Sequence, residues 1–239
     1  CEKPLALNAP QAQQIVDAFR KENVLLAEAF MYRYHPQHAT VMALIEQGVT
    51  GKPNLIDVCF TYSMSEAELG NVRLRPELGG GGLLDVGCYC VNLSRLLAGQ
   101  EPESVTAQAV YGKKSNVDEV FVGTMAFPAG LLAHFDCGMR SQWRNQYTVS
   151  GPHGTITVDY AFRQPPSGEA IIHIQRKDAE AETIHIPPIN QYTLMIEDFA
   201  QAVREGRKAA TYDPMDSVRN MAVLDALDRS AREGIAIRL

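Results

Sequence analysis

The chain has 239 residues, of which 46% are hydrophobic and 21% are charged, and its formal net charge is −6. This is the composition of an ordinary globular protein, and the length suits one large domain or two small ones. The charge gives no sign of the basic face that binds nucleic acid, and no apolar run reaches the ~18 residues of a membrane span, so neither a nucleic-acid partner nor a membrane is expected.

The first segments alternate between helical and extended patterns. Asn8 and Pro10 form a helix start, with a polar cap and an early proline, and apolar residues recur at helical spacing after them. The segments that follow predict a buried strand over 24–30, a helix from Pro36 to Gly48, a strand over 54–62 and a loop over 63–82.

Residues 79–90 read GGGGLLDVGCYC, a glycine run of the kind that wraps phosphates. No register of it gives G-x-G-x-x-G, and Cys88 and Tyr89 stand where a P-loop needs Lys and Ser or Thr. We therefore interpret the glycines as positions where backbone or a ligand approaches the start of a buried helix over 83–97.

The second half of the chain has short strand patterns separated by turns, and it closes with two helices over 192–204 and 214–232. The strand patterns are 105–111, 120–127, 131–136, 146–150, 155–159 and 171–175. Strands at hairpin distance predict an α+β fold, with helices packed on one face of a largely antiparallel, open-faced sheet. An open apolar face often forms a dimer interface, so a homodimer or higher homo-oligomer is expected.

The five cysteines are odd in number and irregularly spaced, which favours reduced thiols and a cytoplasmic location over a disulfide framework. No pair of histidines has metal-ligand spacing, so no metal is predicted.

Asp85 and Tyr89 are four residues apart, which places both on one face of the predicted helix, and Asn92 continues that face. A carboxylate and a phenol on an otherwise apolar helix need partners. Two interpretations stay open: Asp85 caps the helix while Tyr89 bonds a core carbonyl, or the two line a polar pocket.

Three further residues are ambiguous on local pattern alone. Lys3 near a chain end is usually a solvated charge. Arg33 and His35 follow the predicted strand over 24–30, and they suit either a site or an ordinary surface loop.

The chain as a whole resembles the Gfo/Idh/MocA oxidoreductases, in particular the branch with glucose-fructose oxidoreductase, dihydrodiol dehydrogenase and NADP-dependent xylose dehydrogenase. The segments that carry the resemblance are CEKP at 1–4, AEAFMYRYHPQ at 27–37, RLRPELGGGGLLDVGCYCVN at 73–92, SGPHGTI at 150–156 and DPMDSVRNMAVLDALDRSAREG at 213–234.

The resemblance implies a division of the chain. Residues 1–30 would be the end of an N-terminal dinucleotide-binding domain, most of which is absent, and residues 31–239 a substrate-binding and dimerisation domain. The implied activity is NADP- or NAD-dependent hydride transfer on CH–OH groups of a sugar, polyol or cyclic diol. The chain alone would then be inactive and bind cofactor weakly. The alternative is a non-catalytic ligand-binding or dimerisation module of the same family.

The resemblance also implies site residues. Lys3, Asp85 and Tyr89 would be catalytic, Glu2, Lys3 and Pro4 would contact the cofactor, and candidates for substrate binding are Arg33, His35 and Asn92.

Lysine and tyrosine are poor bases at their ordinary pKa values. We expect the Lys3 ammonium to lower the pKa of Tyr89, so that Tyr89 accepts the proton while Asp85 orients Lys3; in the alternative, Lys3 is the base. A substrate with several negative charges is not expected, because Arg33 is the arginine placed near the site, although Arg73 and Arg75 could reach it.

Overall fold

The computed structural model describes residues 1–65, 70–165 and 168–239, and the helices and strands below lie within these ranges. The helices are α1 Ala9–Lys21, α2 Pro36–Glu46, α3 Cys88–Ala98, α4 Gln191–Glu205 and α5 Met215–Glu233. The strands are β1 Leu55–Ser63, β2 Ser104–Tyr111, β3 Asp118–Ala126, β4 Leu132–Gly138, β5 Arg140–Gly151, β6 Gly154–Val158, β7 Ala170–Arg176, β8 Glu182–Ile186 and β9 Ile237–Arg238.

The described strands form one sheet in the order β8-β7-β6-β5-β1-β4-β3-β2-β9. The pair β1–β4 is parallel and the other described pairs are antiparallel. The predicted α+β class with a largely antiparallel open sheet is therefore confirmed. Because β1 lies between β4 and β5, its residues occupy the centre of the sheet.

One face of the sheet is the core, as the alternation of side chains along each strand requires. Ile56, Val58 and Phe60 of β1 point into it and are at most 4% exposed. Helix α3 packs on β1 and β4, and α5 packs on β2. Residues 88–95 of α3 are all buried, which agrees with the apolar run seen in the sequence.

The opposite face of the sheet carries many polar side chains. Thr148 and Thr157 are hydrogen-bonded across β5 and β6 at 3.0 Å, and Arg144 pairs with Asp136 at 2.6 Å. Val122 is 46% exposed there, so apolar groups are present but interspersed. Leu55, Val110 and Leu132 are also exposed on this face, so it is a mixed surface of apolar and polar groups. Dimerisation through it stays a prediction.

The predicted strand over 24–30 is wrong. The segment is extended, but it joins no sheet among the described residues. The Cys1 amino group donates to Ala27 O and Ala29 N donates to Cys1 O, both at 2.8 Å, and its other backbone bonds are local ones such as Val24 N to Phe19 O. The apolar pattern instead reflects packing, because Leu26 and Phe30 belong to the core.

The other differences lie at the periphery. Strands β8 and β9 were not predicted, and part of the predicted loop over 63–82, residues 66–69, lies outside the described residues. The remainder of that loop includes two 3₁₀ turns, Val72–Leu74 and Pro76–Leu78.

Candidate functional site

Lys3 and Asp85 are in direct contact although 82 positions separate them. Lys3 Nζ donates to Asp85 Oδ1 at 3.2 Å and also to the main-chain oxygen of Asp85. Both side chains are 13% exposed. The lysine is therefore a largely buried, paired group and not the solvated charge that its position near a chain end would suggest.

Asp85 lies on a π-helical turn, Leu83–Gly87, that leads directly into α3. Such turns are rare and frequent at functional sites. Besides Lys3, its carboxylate accepts from Tyr62 Oη at 2.6 Å and from Arg73 Nε at 2.9 Å, both at Oδ2. The turn thus directs one carboxylate toward three donors that come from separate parts of the chain.

The charge of Asp85 is stabilised by these donors. Burial by itself would raise the pKa of Asp85, but the Lys3 charge, the Tyr62 hydrogen bond and the Arg73 charge outweigh it and hold that pKa below its usual value. Asp85 is therefore an ionised carboxylate paired with Lys3.

Tyr89 lies one turn further along, beside the same lysine. Lys3 Nζ is 5.1 Å from the centroid of the Tyr89 ring, and the phenol donates to the sulfur of Met31 at 3.5 Å. Phe60 packs edge-on against this ring at 5.5 Å. The structure therefore brings Lys3, Asp85 and Tyr89 together.

The expected lowering of the Tyr89 pKa is wrong. Burial among apolar and aromatic side chains raises it well above its usual value, and the nearby negative charges of Asp85 and Glu2 add to the effect. Lys3 Nζ lies over the face of the ring, and the phenol's hydrogen bond goes to the sulfur of Met31. A raised pKa disfavours the phenolate that the expected role of Tyr89 as proton acceptor requires.

These residues line an open cavity of about 350 Å³. Its walls are formed by Lys3, Met31, Phe60, Tyr62, Met64, Arg73, Asp85, Val86, Tyr89, Trp143, Arg163 and Tyr192. Aromatic rings and charged groups together line a space of the size that a small sugar requires. Sequence reasoning missed Tyr62, Trp143, Arg163 and Tyr192, because they come from β1, β5, the segment after β6 and α4.

Arg33 lies outside this cavity. Its guanidinium donates to Asp216 at 2.5 Å and lies 3.6 Å from the centroid of the Tyr212 ring. Asn92 points into the same region, where its amide oxygen accepts from Tyr32 Oη at 2.6 Å. The geometry gives no support to either residue as a substrate ligand.

His35 is 1% exposed and caps α2, with Nδ1 accepting from Gln37 N at 3.3 Å. Burial lowers the pKa of His35 to about 4. It is a structural residue in this arrangement, so its predicted role in substrate binding also lacks support.

Glu2 and Pro4 flank Lys3 on the chain; Glu2 is exposed and Pro4 is half-buried. Neither is among the residues that line the cavity. Their contact with a cofactor stays a prediction.

The glycines before Asp85 allow a close backbone approach. A Cβ on Gly80 would lie 2.6 Å from the main-chain oxygen of Arg73, and Gly81 has a φ of +121° with the Asp118 carboxylate beside it. Asp118 Oδ2 accepts from the backbone N–H of Leu83 at 2.6 Å. The glycine run therefore packs against Asp118 and sets the start of the Asp85 turn, as the interpretation of a close backbone approach expects.

Gly81→Ala is expected to lower the free energy of unfolding by about 3 kcal/mol, because it adds backbone strain and a contact at 2.1 Å with Asp118 Oδ1. Urea unfolding of both chains measures the change. Gly206→Ala is the control: its φ is +64° but nothing lies within 4 Å of the added Cβ, so only about 1 kcal/mol is expected. Equal losses in the two variants would contradict the packing role of Asp118.

Asp118 also predicts a pH dependence of stability. Burial raises its pKa from 3.8 to about 7, and the charge of Asp228 adds to this, whereas the Leu83 N–H bond and the Arg232 charge oppose it. Between pH 3.8 and about pH 7, Asp118 is protonated in the native state and ionised in the unfolded state. The resulting stability is complete below about pH 4 and declines as the pH rises to 7, by at most about 1.4 kcal/mol per pH unit.

Asp118→Asn removes this titration. The unfolding free energy of the variant minus that of the native chain should therefore increase from about pH 5 to about pH 8. In this range the native chain becomes less stable, because its unfolding releases the Asp118 proton, and the variant has no such proton. Urea unfolding at both pH values measures it. A difference that is constant with pH would show that Asp118 is already ionised in the folded protein.

Two further features are absent from the part of the chain that the structure describes. No cluster of three or more His, Cys, Asp or Glu side chains has the arrangement of a metal site. No helix in these ranges has the length and apolar character needed to cross a membrane.

The chain is similar to known proteins over most of its length. Residues 38–157 match the GFO/IDH/MocA C-terminal domain. The chain is 31% identical over 232 residues to a dTDP-3,4-didehydro-2,6-dideoxy-alpha-D-glucose 3-reductase from Actinomadura kijaniata, covering 97% of this chain and 69% of the relative. It is 29% identical over 239 residues to D-xylose 1-dehydrogenase (NADP(+)) 2 from Haloferax volcanii, covering 100% of this chain and 72% of the relative.

Solved structures give the same result. A 3-ketoreductase from A. kijaniata, in complex with NADP and TDP-benzene, superimposes with a TM-score of 0.90 at 30% identity and covers 96% of this chain and 69% of its own. An aldose-aldose oxidoreductase from Caulobacter crescentus, complexed with glycerol, superimposes with a TM-score of 0.90 at 25% identity. The match covers 100% of this chain and 71% of that oxidoreductase. From the matched domain and these relatives together, the chain belongs to the Gfo/Idh/MocA family.

Proposed function

We propose that this chain carries the substrate site of an NADP- or NAD-dependent oxidoreductase that interconverts a CH–OH group and a carbonyl group on a sugar, polyol or cyclic diol. The observation that carries the proposal is the Lys3–Asp85 pair beside Tyr89 in the wall of a sugar-sized cavity. The named relatives, a dTDP-sugar 3-reductase and a xylose dehydrogenase, support the substrate class.

The residues present suit a nicotinamide beside the substrate. Lys3 is held at the cavity wall by Asp85, and the cavity is bounded by rings that can contact a flat heterocycle. Glu2, Lys3 and Pro4 are the residues of this chain that we assign to holding it. When bound, the cofactor supplies or accepts the hydride.

The chain's own residues supply the proton. In the reductive direction the Lys3 ammonium donates an N–H proton to the carbonyl oxygen as the hydride reaches the carbon, and the amine stays hydrogen-bonded to Asp85. In the oxidative direction the amine takes the hydroxyl proton. The Tyr89 hydroxyl, whose partner is the weak acceptor sulfur of Met31, can turn to donate a hydrogen bond to the same oxygen.

The 239 residues contain no G-x-G-x-x-G, so we propose that the chain alone binds cofactor weakly and is inactive. The cofactor-competent enzyme is then this chain together with a dinucleotide-binding part. Nicotinamide fluorescence during titration of the 239-residue chain with NADPH tests this, and a micromolar dissociation constant would contradict it.

The activity is tested by following NADPH formation or consumption in the cofactor-competent enzyme. We expect turnover with NADP and an aldose or cyclic diol, or with NADPH and a ketosugar. Saturable sugar binding to the chain with no turnover in either direction would instead favour a non-catalytic binding module.

Two further proposals concern the location and the oligomeric state. Four of the five cysteines are buried free thiols, which suits a cytoplasmic location. A homodimer through the open face of the sheet is also proposed, because the described strands form one continuous sheet with this face uncovered by the helices that pack on the core face; the oligomeric mass in solution tests it.

A further inference from the structure

Among the residues that the structure describes, the cavity lining has more positive than negative side chains, an excess that the proton transfer does not require. Its walls contain three cationic side chains, Lys3, Arg73 and Arg163, and among the described lining residues one carboxylate, Asp85. A neutral sugar needs hydrogen-bonding groups but no such excess. The unbalanced charge therefore points to the nature of the substrate.

Arg163 is the clearest of these cations. Its guanidinium carbon lies 5.3 Å from the centroid of the Trp143 ring, and that ring in turn packs edge-on against Phe60 at 5.7 Å. Within the described ranges its side chain has no carboxylate partner. A guanidinium positioned by a ring keeps its N–H groups free to bond an anion in two places at once.

Arg73 can contribute a second set of donors. It uses Nε to bind Asp85 at 2.9 Å, and its side chain is 44% exposed. Arginine has five N–H donors, so the terminal nitrogens remain available to a group that enters the cavity. Because Asp85 is shared between Lys3 and Arg73, it cannot neutralise both.

The arginines that line the cavity differ from the one that the sequence suggested. A substrate with several negative charges was disfavoured because Arg33 was the arginine placed near the site. Arg33 is instead paired with Asp216 outside the cavity, whereas Arg73 and Arg163 line it.

We infer that the substrate carries an anionic group, a carboxylate or a phosphate, which Arg163 and Arg73 bind while Trp143 contacts the sugar ring. The inference rests on the proposed function, since it identifies the substrate class of that same site. The shared chemistry is a sugar with one charged substituent beside the neutral hydroxyl or carbonyl that reacts.

Trp143 provides the measurement, because it is the only tryptophan in the sequence and lies in the cavity wall. The 239-residue chain is titrated at low ionic strength with D-glucose, D-glucuronate and D-glucose 6-phosphate, and Trp143 fluorescence is followed. We expect both anionic sugars to bind at least about tenfold more tightly than glucose. The tighter of the two identifies a carboxylate or a phosphate site.

Arg163→Gln is expected to weaken binding of the anionic sugars by roughly 10- to 100-fold and to weaken glucose binding much less. Arg163→Lys should restore part of the affinity, since it keeps the charge without the two-pronged geometry. Arg75→Gln is the matched control, because Arg75 is close in sequence to Arg73 but pairs with Glu77 at 2.7 Å outside the cavity. Calorimetry repeats the measurement for the Arg163 variants, in which the fluorescence of Trp143 itself could change.

Anionic sugars that fail to bind, or that bind no more tightly than glucose, overturn the inference. So does an Arg163→Gln chain with unchanged affinity for them. NADP-dependent turnover of a neutral sugar by the cofactor-competent enzyme would in that case leave the proposed function standing, so the two failures are distinguishable.

Discussion

Lys3→Met is expected to lower kcat/KM of the cofactor-competent enzyme by roughly 10²–10⁴, the range for loss of a positioned proton donor. Methionine keeps an unbranched side chain of similar length and removes the ammonium that contacts Asp85. Steady-state rates of NADPH consumption at saturating cofactor measure the loss. Because the proton is transferred in the transition state and not on substrate binding, kcat should fall with little change in KM.

Two comparisons make this result specific. Tyr89→Phe should cost less, about 10-fold, because burial raises the pKa of Tyr89 and leaves it a hydrogen-bond donor to the reacting oxygen. Lys21→Met should be silent, since Lys21 is exposed in the last turn of α1. A larger loss in Tyr89→Phe than in Lys3→Met would return the proton transfer to the phenol.

Asp85→Asn is expected to reduce both stability and activity. The substitution leaves Lys3 and Arg73 without their shared carboxylate, and a broken, mostly buried ion pair costs about 3 kcal/mol, near the low end of the range because Arg73 reaches solvent. Urea unfolding measures the first effect. The second should be a fall in kcat of roughly 10²-fold or more, since Lys3 loses the group that orients it.

The pH dependence gives an independent check on Asp85. Its pKa is depressed in the folded protein, so its contribution to stability is present above the ordinary carboxyl pKa and is lost as the pH falls through the folded value. The destabilisation by Asp85→Asn should therefore shrink in acid. Asp17→Asn is the control, because Asp17 is exposed and accepts a single bond from Gln13; a pH-independent loss in Asp85→Asn would contradict the ion-pair account.

Local signals in the sequence predict most of the fold. Asn8 caps α1 by accepting from Gln11 N at 3.0 Å, and Gly99 ends α3 in the left-handed conformation that favours glycine. An apolar pattern is a poor predictor of strands where the burial of the residues and their pairing in a sheet do not coincide. Residues 24–30 have a strand-like pattern because they pack into the core, and β8 has a weak pattern because it is an edge strand with little burial.

The site divides in a similar way. Asp85 and Tyr89 could be paired from their helical spacing, and Lys3 was joined to them only by family resemblance. Tyr62 and Trp143 line the cavity because of the order of the strands in the sheet, and Arg163 because of the packing of a loop. No local sequence pattern predicts strand order or loop packing. Arg33 was misplaced for the same reason, because its partner Asp216 is 183 positions away.

Chemical rescue of Lys3→Ala tests the central claim most directly. Turnover of this variant in the cofactor-competent enzyme is measured at fixed pH with increasing ethylammonium. If the Lys3 amine moves the proton, activity should be nearly absent without the added amine and should rise with its concentration, whereas Lys21→Ala should not respond. Near-normal turnover of Lys3→Ala without amine would contradict the account.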